Sequence, residues 1–333
     1  MRIAVDAMGG DFAPSEIVKG AREAARRLPS VSRIFLVGDE AVVGRELGSD
    51  ETGKISIHHA SEAIGMDETP ALAVRRKKDS SIGRAVDLVK AGKADAVVSA
   101  GNTGAVVVAA TLKLRTLTGV ERPAIAIVMP TRSGPFILID AGANIDCGPK
   151  LLAQFAVMGS AYSQVIFSHE NPSVGLLSIG GEDTKGNETT REAFKLLNQS
   201  PLNFTGNVEG HDIFEGKTDV VVCDGFVGNI VLKTSESVAA AVFHWVKEEV
   251  RRNPIRHLGA GLLIGAMRGM KQKTDPEMYG GALLLGVNGI CVITHGKSSQ
   301  KAIFHAIRVT CESVHSHLNQ TIVDRIAEMG VEA

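Results

Sequence analysis

Five segments of the chain carry residue types that can bind a small anion, and all five share one composition. Each segment comes after a short apolar run and begins with a small or acidic residue, followed by one or more glycines. In four of the five, an amide or hydroxyl side chain then follows. The segments are DAMGGD at 6–11, SAGNTG at 99–104, DAGAN at 140–144, SIGGEDTKGNE at 178–188 and CDGFVGN at 223–229. Unpaired backbone N–H groups of such turns, together with helix N-termini, bind phosphate groups. The pattern therefore indicates a phosphate site.

The elements that must position these segments alternate between short apolar runs and longer amphipathic runs. The spacing predicts strands at 2–5, 33–37, 55–58, 95–99, 124–129, 136–140, 174–178, 219–223 and 290–294, and helices at 14–28, 81–91, 103–114, 150–165, 188–197, 230–251 and 298–318. This alternation favours a three-layer αβα fold with a mostly parallel sheet. Because ligands of parallel sheets lie beyond the carboxyl ends of the strands, we expect all five segments to meet at one sheet edge.

Length and charge restrict the class of protein. The chain has 333 residues with 44% hydrophobic and 22% charged side chains, which is enough for a sizeable core. We expect one domain over residues 1–333, and the sequence does not decide whether it has two lobes. We also expect long helices within 230–285 at a dimer or membrane interface. The net charge of −1 argues against a globally basic nucleic-acid binder. No apolar leader follows Met1, so we expect a cytoplasmic protein.

Several familiar catalytic patterns are missing from the sequence. It contains no G-x-x-x-x-G-K-[ST] P-loop, no G-x-S-x-G elbow and no H-E-x-x-H pair, and the glycines near 259–265 do not fit the dinucleotide-binding spacing. The four cysteines form no C-x-x-C pair, so we expect reduced, mostly buried thiols. We expect neither a metal nor an organic cofactor.

Six motifs together resemble bacterial phosphate acyltransferase, the acyl-carrier-protein:phosphate acyltransferase of phospholipid synthesis. They are VDAMGGDFAP at 5–14, SAGNTGA at 99–105, DAGAN at 140–144, GGEDTKGNE at 180–188, CDGFVGN at 223–229 and YGGALLLGVNG at 279–289. The likeness extends from Met1 to about His317, and the mild departure is Phe12, where this family more often has a small polar residue. The resemblance implies acyl transfer from acyl carrier protein to inorganic phosphate. It also implies a fold like the isopropylmalate dehydrogenase and phosphate acetyltransferase group, a homodimer, and peripheral attachment to a membrane.

For that reaction, the sequence offers amides and cations that could bind phosphate. The backbone amides of Gly9, Gly10, Gly180 and Gly181 are the candidate donors. Lys185 is the preferred cation and Lys297 the second, with a solvated loop lysine as the structural alternative for Lys185.

Polar side chains near these glycines could stabilise the oxyanion that develops during acyl transfer. Asn102, Thr103, Asn144 and Asn229 are candidates, with helix capping as the structural alternative. His295 could protonate the thiol or bind phosphate, and Asn187 is a further substrate-binding candidate.

Four aspartates lie in the same segments, and bare carboxylates would repel phosphate. We therefore assign Asp6, Asp11, Asp140 and Asp224 mainly to capping and to the orientation of amides, lysines or a partner. A covalent route through Cys223 or Ser99 is disfavoured because neither has an evident base in the sequence.

Two surface features suggest partners. The basic run Arg75, Arg76, Lys77 and Lys78 is a candidate dock for acidic acyl carrier protein, with a solvated helix face as the alternative. The apolar stretch containing Leu258, Leu262, Leu263 and Ile264 is flanked by cations, which fits an interfacial membrane contact, with a dimer or core contact as the alternative. Ten apolar residues are too few to span a bilayer.

Three other functions remain open from the sequence. One is a phosphate acetyl- or butyryltransferase that uses coenzyme A thioesters. The others are a nicotinamide-dependent decarboxylating dehydrogenase on a similar fold, and a non-enzymatic scaffold that binds lipid or acyl carrier protein. The family resemblance also suggests that a glycerol-3-phosphate acyltransferase consumes the product.

Overall fold

The structure, a computed structural model, describes residues 1–274 and 276–330; within residues 251–276 the side chains of Pro254, His257, Leu258, Arg268, residues 271–274 and Pro276 lie outside the description. The described residues form eleven strands and twelve α-helices. The strands are β1 Arg2–Asp6, β2 Arg33–Gly38, β3 Ile55–His59, β4 Ala96–Ser99, β5 Ala124–Pro130, β6 Pro135–Ile139, β7 Ser173–Leu177, β8 Asn203–Val208, β9 Val220–Val222, β10 Ala282–Leu285 and β11 Ile290–Ile293. The helices are α1 Ser15–Arg27, α2 Glu40–Leu47, α3 Pro70–Arg76, α4 Ser81–Lys90, α5 Thr103–Leu114, α6 Pro149–Phe167, α7 Glu188–Asn198, α8 Gly225–Arg251, α9 Pro254–Leu262, α10 Ile264–Thr274, α11 Gln300–His315 and α12 Leu318–Met329.

All described strands join one sheet in the order β3-β2-β1-β4-β11-β10-β5-β6-β9-β7-β8. The strands from β3 to β11 are mutually parallel, and so are β6, β9, β7 and β8. Between these blocks, β10 and β5 pair antiparallel with each neighbour. Three successive reversals make the two parallel blocks run in opposite directions.

This reversal corrects the expectation that five segments meet at one edge of the sheet. The ends of β1, β4 and β11 lie at one edge, which we call the first edge. The ends of β6, β7 and β9 lie at the opposite, second edge. The sequence-based expectation assumed one direction for the five strands that precede these segments, and the antiparallel strand β10 was not predicted.

Helices cover both faces of the sheet, which confirms the predicted αβα layering. One face packs against α1, α2, α6, α11 and α12, whose apolar residues share one buried cluster with alternate strand residues. The other face packs against α3, α4 and α5 over the first block and against the start of α8 over the second block. The central strands β4, β9 and β11 are buried on both faces, which explains their uninterrupted apolar sequences.

The predicted strands and helices are all present, with ends that differ by a few residues. The elements that were not predicted are β8 and β10, and the helices α2, α3, α9, α10 and α12. Strand β8 (NFTGNV) lies at the edge of the sheet and is mostly polar, so it lacks the apolar pattern of a buried strand. Helix α11 ends at His315 because His317 adopts a left-handed conformation, and α12 begins immediately after it.

Helix α8 is unusual because most of its length lies outside the core. It has 27 residues, of which only Gly225 and Gly228 are buried. Among the described residues, α8 is the one helix whose length and composition would allow it to cross a membrane. Its first turns pack beside Cys223 and Leu138, and its remainder extends towards α9 and α10.

Candidate functional site

The structure separates the sequence-predicted site residues into two clusters, one at each edge of the sheet. The first-edge cluster contains Asp6, Gly9, Gly10, Asp11, Asn102, Thr103, His295 and Lys297, and the second-edge cluster contains Asp140, Asn144, Gly180, Gly181, Lys185, Asn187, Asp224 and Asn229. Within one chain these clusters lie at opposite edges of the sheet, so a single small ligand cannot contact both.

Three strand ends meet closely around Gly10 at the first edge. A Cβ at Gly10 would lie 2.9 Å from the Gly296 carbonyl oxygen and 3.1 Å from that of Ala100, and its φ is +97°. The backbone N–H of Asp11 donates to the Gly296 oxygen at 2.7 Å. Only glycine permits both the positive φ and this close approach. Gly10 therefore fixes the loops after β1, β4 and β11 to one another.

A buried carboxylate, that of Asp6, joins two of these strand ends through hydrogen bonds. Asp6 is 2% exposed and accepts hydrogen bonds from the Ser99 hydroxyl at 2.7 Å and from the Met8 N–H at 3.2 Å. Burial raises the pKa of Asp6 above its usual value, although a hydrogen bond from Ser81 opposes the rise. Ser99 therefore has a carboxylate partner, Asp6, which the amino-acid sequence did not predict. Because both residues are buried, this pair joins β1 to β4 and does not present a nucleophile.

Both polar atoms of the Asn102 side chain hydrogen-bond to backbone groups. Its Oδ1 accepts from Ala105 N–H at 3.1 Å and so caps α5. Its Nδ2 faces the carbonyl oxygens of Gly65, Met66 and Glu68 at 3.0 to 3.3 Å. The amide thus ties the loop before α3 to the first edge, and its donors are occupied in this arrangement.

The exposed members of the first-edge cluster are Asp11, Thr103, His295 and Lys297. The ring Nδ1 of His295 accepts from the Lys297 N–H at 3.1 Å, so a neutral ring carries its proton on Nε2. Helices α1, α5 and α11 all begin at this edge and direct the positive ends of their dipoles towards it. The first edge therefore combines helix N-termini, an exposed lysine and a histidine with a donor proton, which suits an anion.

At the second edge, the carboxylate of Asp140 accepts hydrogen bonds from the backbone of its own loop. Its two oxygens accept from the N–H groups of Ile125, Gly142, Ala143 and Asn144, and from Nδ2 of Asn144. Asn144 also donates to the Pro123 oxygen at 2.8 Å. Asp140 is fully buried, and Asn144 is nearly so. These contacts occupy the side-chain donors of Asn144 and the acceptor capacity of Asp140.

The loop that carries Lys185 is acidic. Nζ of Lys185 lies 3.9 Å from Glu182, and the N–H of Gly181 donates to Glu209 at 3.1 Å. The contact with Glu182 is a loose ion pair between exposed side chains, and Glu209 accepts from one of the two glycine amides. Both carboxylates would repel an anion bound to this loop.

The remaining second-edge residues have mostly structural contacts. Asn187 caps α7 and Asp224 caps α8 through their side-chain oxygens. A Cβ at Gly228 would lie 1.9 Å from the Asp140 oxygen, so the first turn of α8 fits only against a glycine. Asn229, which follows Gly228, is exposed. Burial raises the pKa of Cys223 well above its usual value, so its sulfur stays an unreactive thiol.

Sequence reasoning did not single out two other features of the first edge. The loop at 65–68 covers this edge, since a Cβ at Gly296 would lie 2.7 Å from the Met66 methyl group. Thr294 is 4% exposed, and its hydroxyl has no hydrogen-bond partner among the described residues. The sequence around Met66 and Thr294 contains no motif that would identify the covering loop or the unpartnered hydroxyl.

One group of described residues has side chains close enough to share a metal ion. The ligand atoms of Glu209, His211 and Asp212 lie within 4.8 Å of one another in the loop after β8. His211 is exposed and pairs with both carboxylates, an arrangement that surface acidic groups adopt without any ion.

Comparison with known proteins identifies the family. A family model described as "Fatty acid synthesis protein" matches residues 1–321. A protein named phosphate acyltransferase from Pelotomaculum thermopropionicum is 51% identical over 333 residues, covering 100% of this chain and 97% of that one. Another of the same name from Desulfitobacterium hafniense is 52% identical over 318 residues, covering 95% of each. This chain belongs to the phosphate acyltransferase family. It is an acyltransferase of lipid biosynthesis, as the sequence motifs predicted.

Solved structures of more distant proteins share the fold of this phosphate acyltransferase family member. A phosphotransacetylase from Streptococcus pyogenes gives a TM-score of 0.61 at 20% identity, covering 95% of this chain and 94% of that one. EutD phosphotransacetylase from Staphylococcus aureus gives a TM-score of 0.59 at 18% identity, covering 94% of each. At these identities the likeness concerns the fold, and it confirms the predicted fold group.

Proposed function

We propose that this acyltransferase moves a long-chain fatty acyl group from acyl carrier protein to inorganic phosphate and so forms acyl phosphate for phospholipid synthesis. The observation that carries the proposal is the first edge, where three strand ends and three helix N-termini surround Gly10 in a chain of this family. Fixed N–H dipoles can hold a phosphate there without removing the charge that makes it nucleophilic.

The proposed reaction is a direct displacement. A phosphate oxygen attacks the thioester carbonyl, the new C–O bond forms, and the C–S bond breaks to release the thiol of the carrier. Lys297 and the amides near Gly9, Gly10 and Thr103 bind the phosphate, and the Nε2–H of His295 donates a hydrogen bond to the leaving sulfur. The proton that the attacking hydrogen phosphate loses ends on the thiol of the carrier. Lys297 replaces Lys185 as the preferred cation because Lys185 lies at the other edge.

Release of free thiol tests this proposal. Palmitoyl-acyl carrier protein and palmitoyl-coenzyme A are incubated with the protein, with and without inorganic phosphate. We expect phosphate-dependent thiol release from the carrier and slower release from coenzyme A. A preference for short acyl-coenzyme A thioesters would instead support an acetyl- or butyryltransferase, and binding without thiol release would support a scaffold.

The basic run around α3 supports docking of acyl carrier protein close to this edge. Arg75, Arg76 and Lys78 are exposed, whereas Lys77 binds Glu68 at 2.6 Å and the Ala63 oxygen at 2.7 Å. Because Asn102 holds the same loop, the basic surface adjoins the first-edge cluster. An acidic carrier bound to this surface would deliver its thioester to the neighbouring edge.

A homodimer and a membrane contact are further parts of the proposal. Val242 and Trp245 are apolar residues of α8 that are 43 and 62% exposed, which supports a subunit contact. Leu262, Leu263 and Ile264 at the junction of α9 and α10 are 51 to 86% exposed, which supports peripheral attachment of a cytoplasmic protein to a membrane. Leu258 has its side chain outside the described part of the chain. Such a location would pass the product to a membrane-bound glycerol-3-phosphate acyltransferase.

A further inference from the structure

A large apolar cavity lies between α8 and the sheet, outside both clusters. Its volume is about 1150 Å³. Ile127 and Met129 of β5 and Phe214 form one wall, while Leu232, Ala239 and Phe243 of α8 form the opposite wall. Ala260 of α9 and Met267 of α10 also line it. The space is therefore a half-open groove with walls from one chain.

The strand register connects this cavity to the first edge. Asp6 pairs with Ser99, Ser99 with Ile293, Ile293 with Ala282, and Ala282 with Ile127, so these residues form one row across the sheet. Directly paired residues point to the same face of a sheet. Asp6 and Ile127 thus face the same side, the side on which α4, α5 and α8 lie.

The distance along this row is short. Ile293 and Ile127 are two strand spacings apart, which is about 10 Å. Thr294, His295 and Lys297 follow Ile293 directly, and Pro130 to Arg132 extend β5 beyond the same edge. The β5 wall of the cavity therefore lies about two strand spacings from β11, whose following residues belong to the first-edge cluster.

Length and polarity suit one kind of occupant. Leu232 and Val250, which both line the cavity, are separated by about 27 Å along α8. A single fatty chain spans half of a bilayer core, or about 15 Å. The charged lining groups are Arg132, Glu236 and Lys247, and Arg132 is exposed beside Glu215. Together with Glu215, these groups are two cations and two carboxylates, so they carry no net charge. An apolar channel with a polar, neutral rim fits a hydrocarbon chain that carries a thioester head.

We propose that this cavity binds the hydrocarbon chain of the acyl substrate while its thioester carbonyl lies at the first edge. The inference rests on the proposed function and adds the location of the chain. It also makes α8 the element that contacts the chain along its length, because residues of α8 from Leu232 to Val250 line the cavity.

A single substitution that fills the channel tests the inference. Ala239 lines the cavity, whereas Ala241 does not, since it lies about 200° around the helix. We compare Ala239→Trp with the matched control Ala241→Trp, using hexanoyl- and palmitoyl-acyl carrier protein in the phosphate-dependent thiol assay. We expect Ala239→Trp to lower the palmitoyl-to-hexanoyl ratio of kcat/KM at least tenfold, because each excluded methylene loses its burial. Ala241→Trp should leave that ratio unchanged.

The outcomes separate failure of this inference from failure of the proposed function. An unchanged ratio in Ala239→Trp, with normal activity of the unaltered protein, would overturn the channel and leave the function intact. Altered oligomeric state in light scattering with an unchanged ratio would assign the cavity to contact between copies. Absence of phosphate-dependent thiol release from the unaltered protein would reject the proposed function and, with it, the channel.

A second measurement does not depend on how a variant folds. The unaltered protein is irradiated with a palmitoyl thioester of acyl carrier protein that carries a diazirine at its terminal carbon. We expect labelled residues within 232–250 or 260–267, identified by mass spectrometry of peptides. Labels found only elsewhere on the protein would contradict the inference.

Discussion

The individual residues of the two clusters differ in whether their polar atoms are already engaged. Asp140, Asn144 and Asn102 are buried and use their side chains to hold neighbouring backbone. Lys297 and His295 are exposed at the first edge, beside Gly296. Residues whose hydrogen bonds are satisfied within the fold contribute to stability, and exposed donors are available to a ligand.

The two candidate lysines provide a matched comparison. Lys297→Met should raise KM for phosphate and lower kcat/KM by ten- to a hundredfold, because a charge-assisted contact to the anion is lost. Lys185→Met should change both by less than threefold, because that lysine lies at the second edge beside Glu182. Steady-state kinetics with varied phosphate measures both variants. The reverse order of effects would move the phosphate site to the second edge.

Asp6 should give stability a measurable dependence on pH. Its folded pKa is raised by burial, so its contribution to stability is full below the unfolded carboxyl pKa of about 3.9 and is lost as the pH rises through the folded value. In Asp6→Asn, the free energy of unfolding should therefore fall less steeply between pH 4 and pH 7. Urea unfolding at several pH values measures this slope.

Asp11→Asn is the control, since it removes an exposed carboxylate from the same loop. Equal slopes in Asp6→Asn and the unaltered protein would show that Asp6 titrates as it does in the unfolded chain.

Among the elements, the short helix α3 has the most specific position. Asn102 caps α5 and at the same time binds the loop that leads into α3, so the basic run is fixed relative to the first edge. Lys77 stabilises this loop through Glu68, and it therefore differs from its three exposed neighbours.

Charge reversal of the exposed part of this run tests docking. Arg75→Glu, Arg76→Glu and Lys78→Glu together should raise KM for acyl carrier protein by about tenfold at low salt, because steering of an acidic partner is lost. The effect should shrink at high salt.

Arg26→Glu, Arg33→Glu and Lys90→Glu form the matched control. These exposed residues change the net charge equally but lie near the opposite edge, at the end of α1, the start of β2 and the end of α4. Equal KM values for the two triple variants would argue against a docking site at α3.

On the scale of the whole molecule, the apolar surface is concentrated at one extension of the structure. Helices α8, α9 and α10 carry Trp245, Ile255, Leu262, Leu263 and Ile264, which are all more than half exposed. Soluble monomers rarely expose so many adjacent large apolar side chains. Contact with a membrane or with a second subunit would cover them.

Flotation with vesicles that contain anionic phospholipid tests the membrane contact. Leu262→Asp with Leu263→Asp should reduce the bound fraction severalfold, because two apolar anchors at the tip between α9 and α10 become charged. Leu72→Asp with Leu112→Asp is the control, since these leucines are also exposed but lie on α3 and α5. Equal binding by the two double variants would contradict attachment through this tip.

Local pattern was sufficient for the family, the layered α/β class and most individual strands and helices. Apolar runs such as those of β4, β9 and β11 indicate buried strands because both faces of each must be covered. The glycine segments also follow from local chemistry, since Gly10 needs both a positive φ and a close neighbour. Strand β10, short and enclosed by glycines, gave no comparable signal.

What the sequence determined by itself is therefore the set of strand-end turns and their chemistry, together with the acyltransferase family. Only the tertiary structure decided which turns share an edge. The reversal at β10 and β5 places the loops of β1, β4 and β11 on one side and those of β6, β7 and β9 on the other. Strand direction depends on pairing between residues far apart in the chain, and a local apolar pattern is the same whichever way its strand runs.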